Sequence, residues 1–126
     1  MWLSFVAVSA GAVIGANLRW ALSLWLNSGY QTIPLGTLAA NLVGGGLAGL
    51  LLGYFVHGTS LSPEWRLFAI TGICGALTTF STFSLEIVAA LQSGRWAMAF
   101  AGVMLHVLGS LLMTGVGLAG YTLLRG

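Results

Sequence analysis

The chain has 126 residues, 58% of them apolar and 5% charged, with a mean hydropathy of +0.99. A soluble domain averages about 25% charged residues, so a water-soluble fold is excluded. With no Lys, no Asp and one Cys, so are a P-loop, an intramolecular disulfide, a thiolate zinc site and a basic nucleic-acid surface.

The six charges are Arg19, Glu64, Arg66, Glu86, Arg95 and Arg125, and between them lie uncharged runs of 17, 44, 19 and 29 residues. A helix needs about 20 mostly apolar residues to cross a bilayer. Four crossings are therefore predicted, in a single all-α transmembrane domain over residues 1–126. The first runs over about 3–26 and ends in Asn27-Ser28-Gly29, which is turn chemistry. No Lys or Arg precedes its apolar run, so no cleavable signal peptide is expected. The second covers about 34–57, with Pro34 suited to a first helical turn, and is followed by the loop Gly58-Thr59-Ser60-Leu61. In the third, about 63–92, Ser62 can cap, Pro63 can take the first position, and Glu64 is favourable near the positive end of the dipole. Ser93-Gly94 then separates it from the fourth, about 95–124. Cys74 reads as a small buried side chain.

Orientation in the membrane follows the Lys/Arg bias of loops and helix ends. One side carries Arg66 and Arg125, the other Arg95 and Arg19. That balance gives the chain no reason to prefer one orientation, and it predicts insertion both ways and an antiparallel pair of copies. Weak contextual signals that fix one orientation are the alternative. Membrane helices associate through close packing of small residues and interhelical hydrogen bonds. Ala7, Gly11 and Gly15 recur every four residues in the first span, as do Thr37, Asn41, Gly45, Gly49 and Gly53 in the second. Spacing alone leaves open whether these stripes pack within one copy or between two.

The unusual segment is 71–84, TGICGALTTFSTFS, with two glycines and six hydroxyl residues. Counted from Pro63, residues 75–80 lie about 18 to 25 Å into the third span at 1.5 Å per residue. Glycine and hydroxyl side chains make poor continuous helix. A break is expected near Gly75 to Thr79, at a depth where irregular backbone is tolerated only against protein or a wet cavity. The freed carbonyls would be met either by a cation or by neighbouring hydroxyls and water. Phe80 and Phe83, three apart, share a face if the helix resumes, as packing or with positive ring edges toward an anion. The fourth span supplies a polar line at Gly102, His106, Ser110 and Thr114. Glu86 is a carboxylate within a crossing, and Arg19 either snorkels to an interface or lines a vestibule.

Three ordered elements carry a resemblance over nearly the whole chain. Gly15-Ala16-Asn17-Leu18-Arg19-Trp20, Gly36-Thr37-Leu38-Ala39-Ala40-Asn41-Leu42-Val43-Gly44 and Gly75-Ala76-Leu77-Thr78-Thr79-Phe80-Ser81-Thr82-Phe83 resemble the motifs of the Fluc (CrcB) family of bacterial fluoride channels. The resemblance implies an antiparallel, dual-topology homodimer in the bacterial inner membrane, with helix 3 broken and two fluoride pores. The backbone carbonyls of Gly75 and Thr78 from both copies would hold a structural sodium ion. Phe80 and Phe83, from different copies, would give ring edges to each pore, and Asn41 would donate its amide to fluoride. Thr37, Ser81, Thr82, Glu86, His106, Ser110 and Thr114 would line a polar track, with Arg19 toward a vestibule. Two features depart from the family pattern: Ser9-Ala10-Gly11 stands where a Gly-Gly pair is common, and His106 where relatives vary in their polar residue.

The implied function is passive, with fluoride leaving down its electrochemical gradient to confer fluoride resistance, and no enzyme chemistry. The rival reading is a small multidrug-resistance type exporter, proton-coupled and also a four-helix dual-topology dimer. Such exporters depend on a first-helix carboxylate, and the first span here has none. A non-transporting assembly subunit is a third reading, which the polarity invested at mid-membrane depth disfavours.

Overall fold

A computed structural model describes residues 1–27, 33–57 and 60–126. The expected turn at Ser28-Gly29 and the Gly58-Thr59 part of the second loop lie outside the described residues. Helix α1 spans Trp2–Leu26 and α2 Leu35–Val56. A third run begins as α3 (Pro63–Arg66), widens into a π-helix over Leu67–Cys74 and returns to α geometry in α4 (Gly75–Leu77). Two extended residues, Thr78 and Thr79, separate α4 from α5 (Phe80–Gln92), and α6 covers Trp96–Arg125. No strand occurs among the described residues. Four stretches are long and apolar enough to cross a membrane: Trp2–Leu26, Leu35–Val56, Pro63–Gln92 and Trp96–Arg125.

The connections show why the spans end where they do. Asn27, past the end of α1, reaches across to α2, where its Oδ1 accepts from the Gly36 amide at 2.7 Å. That satisfies one of the orphan donors of the α2 start. Ser62 takes the N-cap position before Pro63 but makes no side-chain cap bond; its carbonyl accepts from Trp65 N at 3.1 Å. Between α5 and α6, Gly94 has φ +72°, with Gly94 N donating to Leu91 O and Arg95 N to Ala90 O. This is the paired C-terminal closure that a left-handed glycine permits. Arg125 donates from Nη1 to the His57 carbonyl at 3.4 Å, tying the ends of α6 and α2 together.

The small-residue stripes pack within the chain. Helix α1 lies on the π-helical stretch so closely that a methyl group on Gly15 would overlap the Ile73 carbonyl oxygen, and one on Gly11 that of Phe68. Helix α2 lies against α6 in the same way: Gly45 faces Ser110, Gly49 meets the Thr114 carbonyl, and Gly53 meets the Tyr121 ring. Gly117 of α6 answers with close approach to Gly46. Backbone contact of this kind is how helices gain dispersion energy in lipid, which supplies no hydrophobic drive between them. The π turn was not legible in the sequence. It falls where α1 presses on Gly72, whose added methyl would come within 2.8 Å of the Gly11 Cα.

Candidate functional site

The α4–α5 junction redirects backbone hydrogen bonds. In an unbroken helix Thr79 N would close on the Gly75 carbonyl and Thr82 N on that of Thr78. Instead Thr79 N donates to Asn41 Oδ1 at 2.7 Å, and Thr82 N to the Thr79 side-chain oxygen at 3.1 Å. Thr79 thereby acts as the N-cap of α5. With Thr78 and Thr79 extended, the carbonyls of residues 75–78 all lose their regular helical donors; those of Gly75 and Thr78 lose theirs to the two bonds just given. The neighbouring Ala76 carbonyl receives Arg19 Nε at 3.1 Å, so the guanidinium sits at the end of α4. On the other side Thr78 Oγ1 donates to the Cys74 carbonyl at 2.9 Å. Gly75 is exposed, and an added methyl there would find no atom nearer than 3.7 Å.

Asn41, 8% exposed on α2, holds the junction. Besides accepting from Thr79 N, its Nδ2 donates to the Thr79 carbonyl at 3.1 Å and lies 2.9 Å from His106 Nδ1. The amide thus pairs with Thr79 as a second backbone would. His106, on α6 and 5% exposed, packs its ring on Phe83 with centroids 4.6 Å apart. Phe83 is buried, and Phe80 meets it edge-on at 5.4 Å while remaining 77% exposed.

These groups border a groove of about 350 Å³ lined by Asn41, Gly45, Thr78, Thr79, Phe80, Phe83, His106, Val107, Ser110 and Leu111. No charged side chain lines it. A narrow second cavity of about 20 Å³ lies beyond, between Pro34, Glu86, Ile87, Gly102 and His106, among others. His106 borders both.

The remaining residues singled out in the sequence occupy several positions. Thr37 is 1% exposed, and its hydroxyl donates to Glu86 Oε1, which ties it to the second cavity. Thr82 and Ser81 stand on the first turn of α5, both within hydrogen-bond reach of the Thr79 hydroxyl, and line neither cavity. Thr114 also lies outside them: its hydroxyl donates to the Ser110 carbonyl at 2.9 Å, where α6 meets Gly45 and Gly49.

Residues 6–118 match the family described as CrcB-like protein, Camphor Resistance (CrcB). The chain belongs to the CrcB family. A relative from Marinobacter nauticus named "Fluoride-specific ion channel FluC" is 63% identical over 126 residues, covering 100% of both chains. Relatives of the same name from Chromohalobacter salexigens and Acinetobacter baumannii (strain ATCC 17978) are 56% and 54% identical, over 99% and 96% of this chain and 95% of each relative. In this CrcB chain the site residue that sequence reasoning passed over is Thr79. Its two-way pairing with Asn41 requires knowing that α2 crosses the third run at that level, although its place within the hydroxyl-rich run was a signal.

Proposed function

We propose that the chain forms a fluoride-selective channel that lets fluoride leave the cell passively and so confers fluoride resistance. The observation that carries the reading is the groove at the junction. Its polar lining consists of neutral amide, hydroxyl and imidazole groups beside the rings of Phe80 and Phe83, with no carboxylate to repel an anion. The relatives' shared name supports the ion's identity.

Fluoride is small and strongly hydrated, so a pore must replace its water with fixed donors while binding it weakly enough to release it. Ring edges carry the positive part of the aromatic quadrupole, and the start of α5 adds the positive end of a helix dipole at the same level. Along each path Asn41 would offer an amide hydrogen, Phe80 and Phe83 their edges, and His106 and Ser110 further polar contacts. Thr37, Ser81, Thr82, Glu86 and Thr114 would extend the polar track, with Arg19 toward a vestibule.

The working unit is an antiparallel homodimer of dual topology with two pores, in a bacterial inner membrane. The third span is broken at mid-membrane depth. Non-helical backbone there must meet protein or a water-filled cavity, and the exposure of Gly75 and Ser81 in one copy supports a second copy over this face. Phe80, 77% exposed, is then free to serve a path shared with its partner, alongside the other copy's Phe83.

The chemistry of the junction fits a sodium ion. A hard cation takes oxygen ligands, and the Gly75 and Thr78 carbonyls are among those at the break whose usual helical donors, Thr79 N and Thr82 N, bond elsewhere. Two copies would present four such oxygens. Bound there, sodium would supply positive potential to the pores and hold the dimer together.

Fluoride efflux from liposomes containing the purified protein, with chloride as the control, tests the reading. Electrogenic fluoride flux is expected, persisting without a proton gradient and unable to run uphill with one. Equal chloride flux, or strict proton coupling, would refute it.

A further inference from the structure

The hydrogen bonds around Asn41 decide the chemistry of His106. Asn41 Oδ1 faces the Thr79 N–H and its Nδ2 faces the Thr79 carbonyl, so neither amide atom can be exchanged for the other without setting donor against donor. The atom 2.9 Å from His106 Nδ1 is therefore an amide nitrogen, which only donates. Nδ1 must be the acceptor, and the ring is neutral with its proton on Nε2. No fully buried side-chain nitrogen or oxygen lacks a partner among the described residues. Since Nδ1 takes the ring's hydrogen bond, Nε2–H opens on the cavity space that His106 borders on either side.

Both Asn41 N–H groups are thus committed, one to Thr79 and one to His106. We propose that His106 Nδ1 is a resident acceptor that fluoride displaces from the Asn41 amide, a stand-in that keeps the donor satisfied between ions. This inference rests on the channel reading and names the group that sets the depth of the fluoride site. A buried donor with no partner carries its full desolvation cost until an anion arrives, so a site built on such a donor binds tightly and releases slowly. With His106 in place, fluoride gains the amide hydrogen only by breaking an existing bond, and its departure restores that bond. The Asn41–Thr79 pairing is untouched by the exchange, so the junction stays closed as ions pass. His106 is a positioning residue in its Nδ1 role, acting on the ion through Asn41.

Two measurements test this. First, ¹⁵N spectra of histidine-labelled H57Q protein, in which His106 is the single histidine, should show Nδ1 unprotonated and Nε2 protonated. Fluoride titration should move the Nδ1 resonance as its amide partner leaves. A protonated Nδ1, or a resonance indifferent to fluoride, would overturn the proposal. Second, flux against fluoride concentration separates this role from simple packing. H106F removes the acceptor but keeps a ring against Phe83, and it should lower the half-saturating concentration about fivefold, the worth of one ordinary hydrogen bond, while lowering maximal flux. H106N, whose Oδ1 can take the place of Nδ1, should restore both values toward those of the unsubstituted protein. H106Q, which places its amide near Nε2 instead, should not. A half-saturation unchanged or raised in H106F, or rescue by H106Q alone, would overturn the stand-in role and leave the channel intact. Absence of fluoride flux in the unsubstituted protein would instead refute the channel reading and this exchange with it.

Discussion

Asn41→Leu is the sharpest perturbation of the junction, because it keeps the branched side-chain shape and removes three hydrogen bonds, two to Thr79 N and O and one to His106. At the roughly 0.6 kcal/mol average for side-chain bonds in membrane proteins, three bonds amount to about 2 kcal/mol. The loss is larger if Thr79 N and O are left unpaired, at about 1–3 kcal/mol for each buried group. The chain can escape that penalty in one way, by closing Thr79 N back onto the Gly75 carbonyl and rewinding the helix. Either outcome damages function: an unpaired peptide destabilises the junction by several kcal/mol, and a rewound one removes a carbonyl from the proposed sodium site. The expected result is loss of fluoride flux from proteoliposomes with a lowered thermal midpoint in detergent. Asn41→Asp, which keeps the acceptor for Thr79 N but loses both amide donors, should retain more stability than Asn41→Leu and still conduct poorly. Undiminished flux in Asn41→Leu would refute the argument that this side chain stands in for the missing helical bonds.

Phe80→Ile and Phe83→Ile remove ring edges but keep an apolar side chain; each should abolish or greatly lower flux while the protein elutes as the unsubstituted protein does, and full flux in both would count against edge coordination. Exchange of sodium for a larger cation should reduce stability or conduction only after long incubation, whereas an immediate reversible loss would place the ion at the surface. Gly49→Val puts side-chain atoms onto the Thr114 carbonyl and should cost at least the roughly 1–3 kcal/mol of an overpacked core, read as a lowered thermal midpoint; Gly115→Ala, with nothing within 4 Å of the added methyl, is the control expected to leave it unchanged. A C-terminal reporter active on one side of the membrane should give signal from both sides in two paired reporter fusions, and signal from one side alone would refute dual insertion.

The spans were legible because the rule behind them is one-dimensional: where charge is so sparse, the apolar runs mark the crossings and Ser93-Gly94 marks a turn. Packing inside the chain was less so. The glycine spacing of α1 and α2 announced close approach, but the partner backbones, the π-helical stretch and α6, are set by three-dimensional register. The same limit applied at the site. Composition pointed to residues 75–79 as poor helix, and the coordinates place the extended residues at Thr78 and Thr79 while Gly75–Leu77 stay helical. The reason lies outside that segment: Asn41 captures the Thr79 peptide from another helix, and a residue 38 positions away leaves no local signature.

Charge placement gives the groove its character. The chain has four arginines, and none lines the groove. Arg19, which comes nearest to the junction, commits its Nε to the Ala76 carbonyl. A free guanidinium beside the ion path would make charge-assisted bonds worth about 1.5–3 kcal/mol each, stronger in a dry site, and an anion so held would leave slowly. Neutral donors avoid that trap only if they do not stand unsatisfied when the ion is gone. In this chain the hydroxyl of Thr79 bonds to Thr82, that of Thr37 to Glu86, and the amide of Asn41 to His106. These three donors each have a protein acceptor, so binding an anion at any of them is an exchange between comparable bonds rather than the filling of a void. An exchange of that kind supports both entry and release, which a conducting site requires.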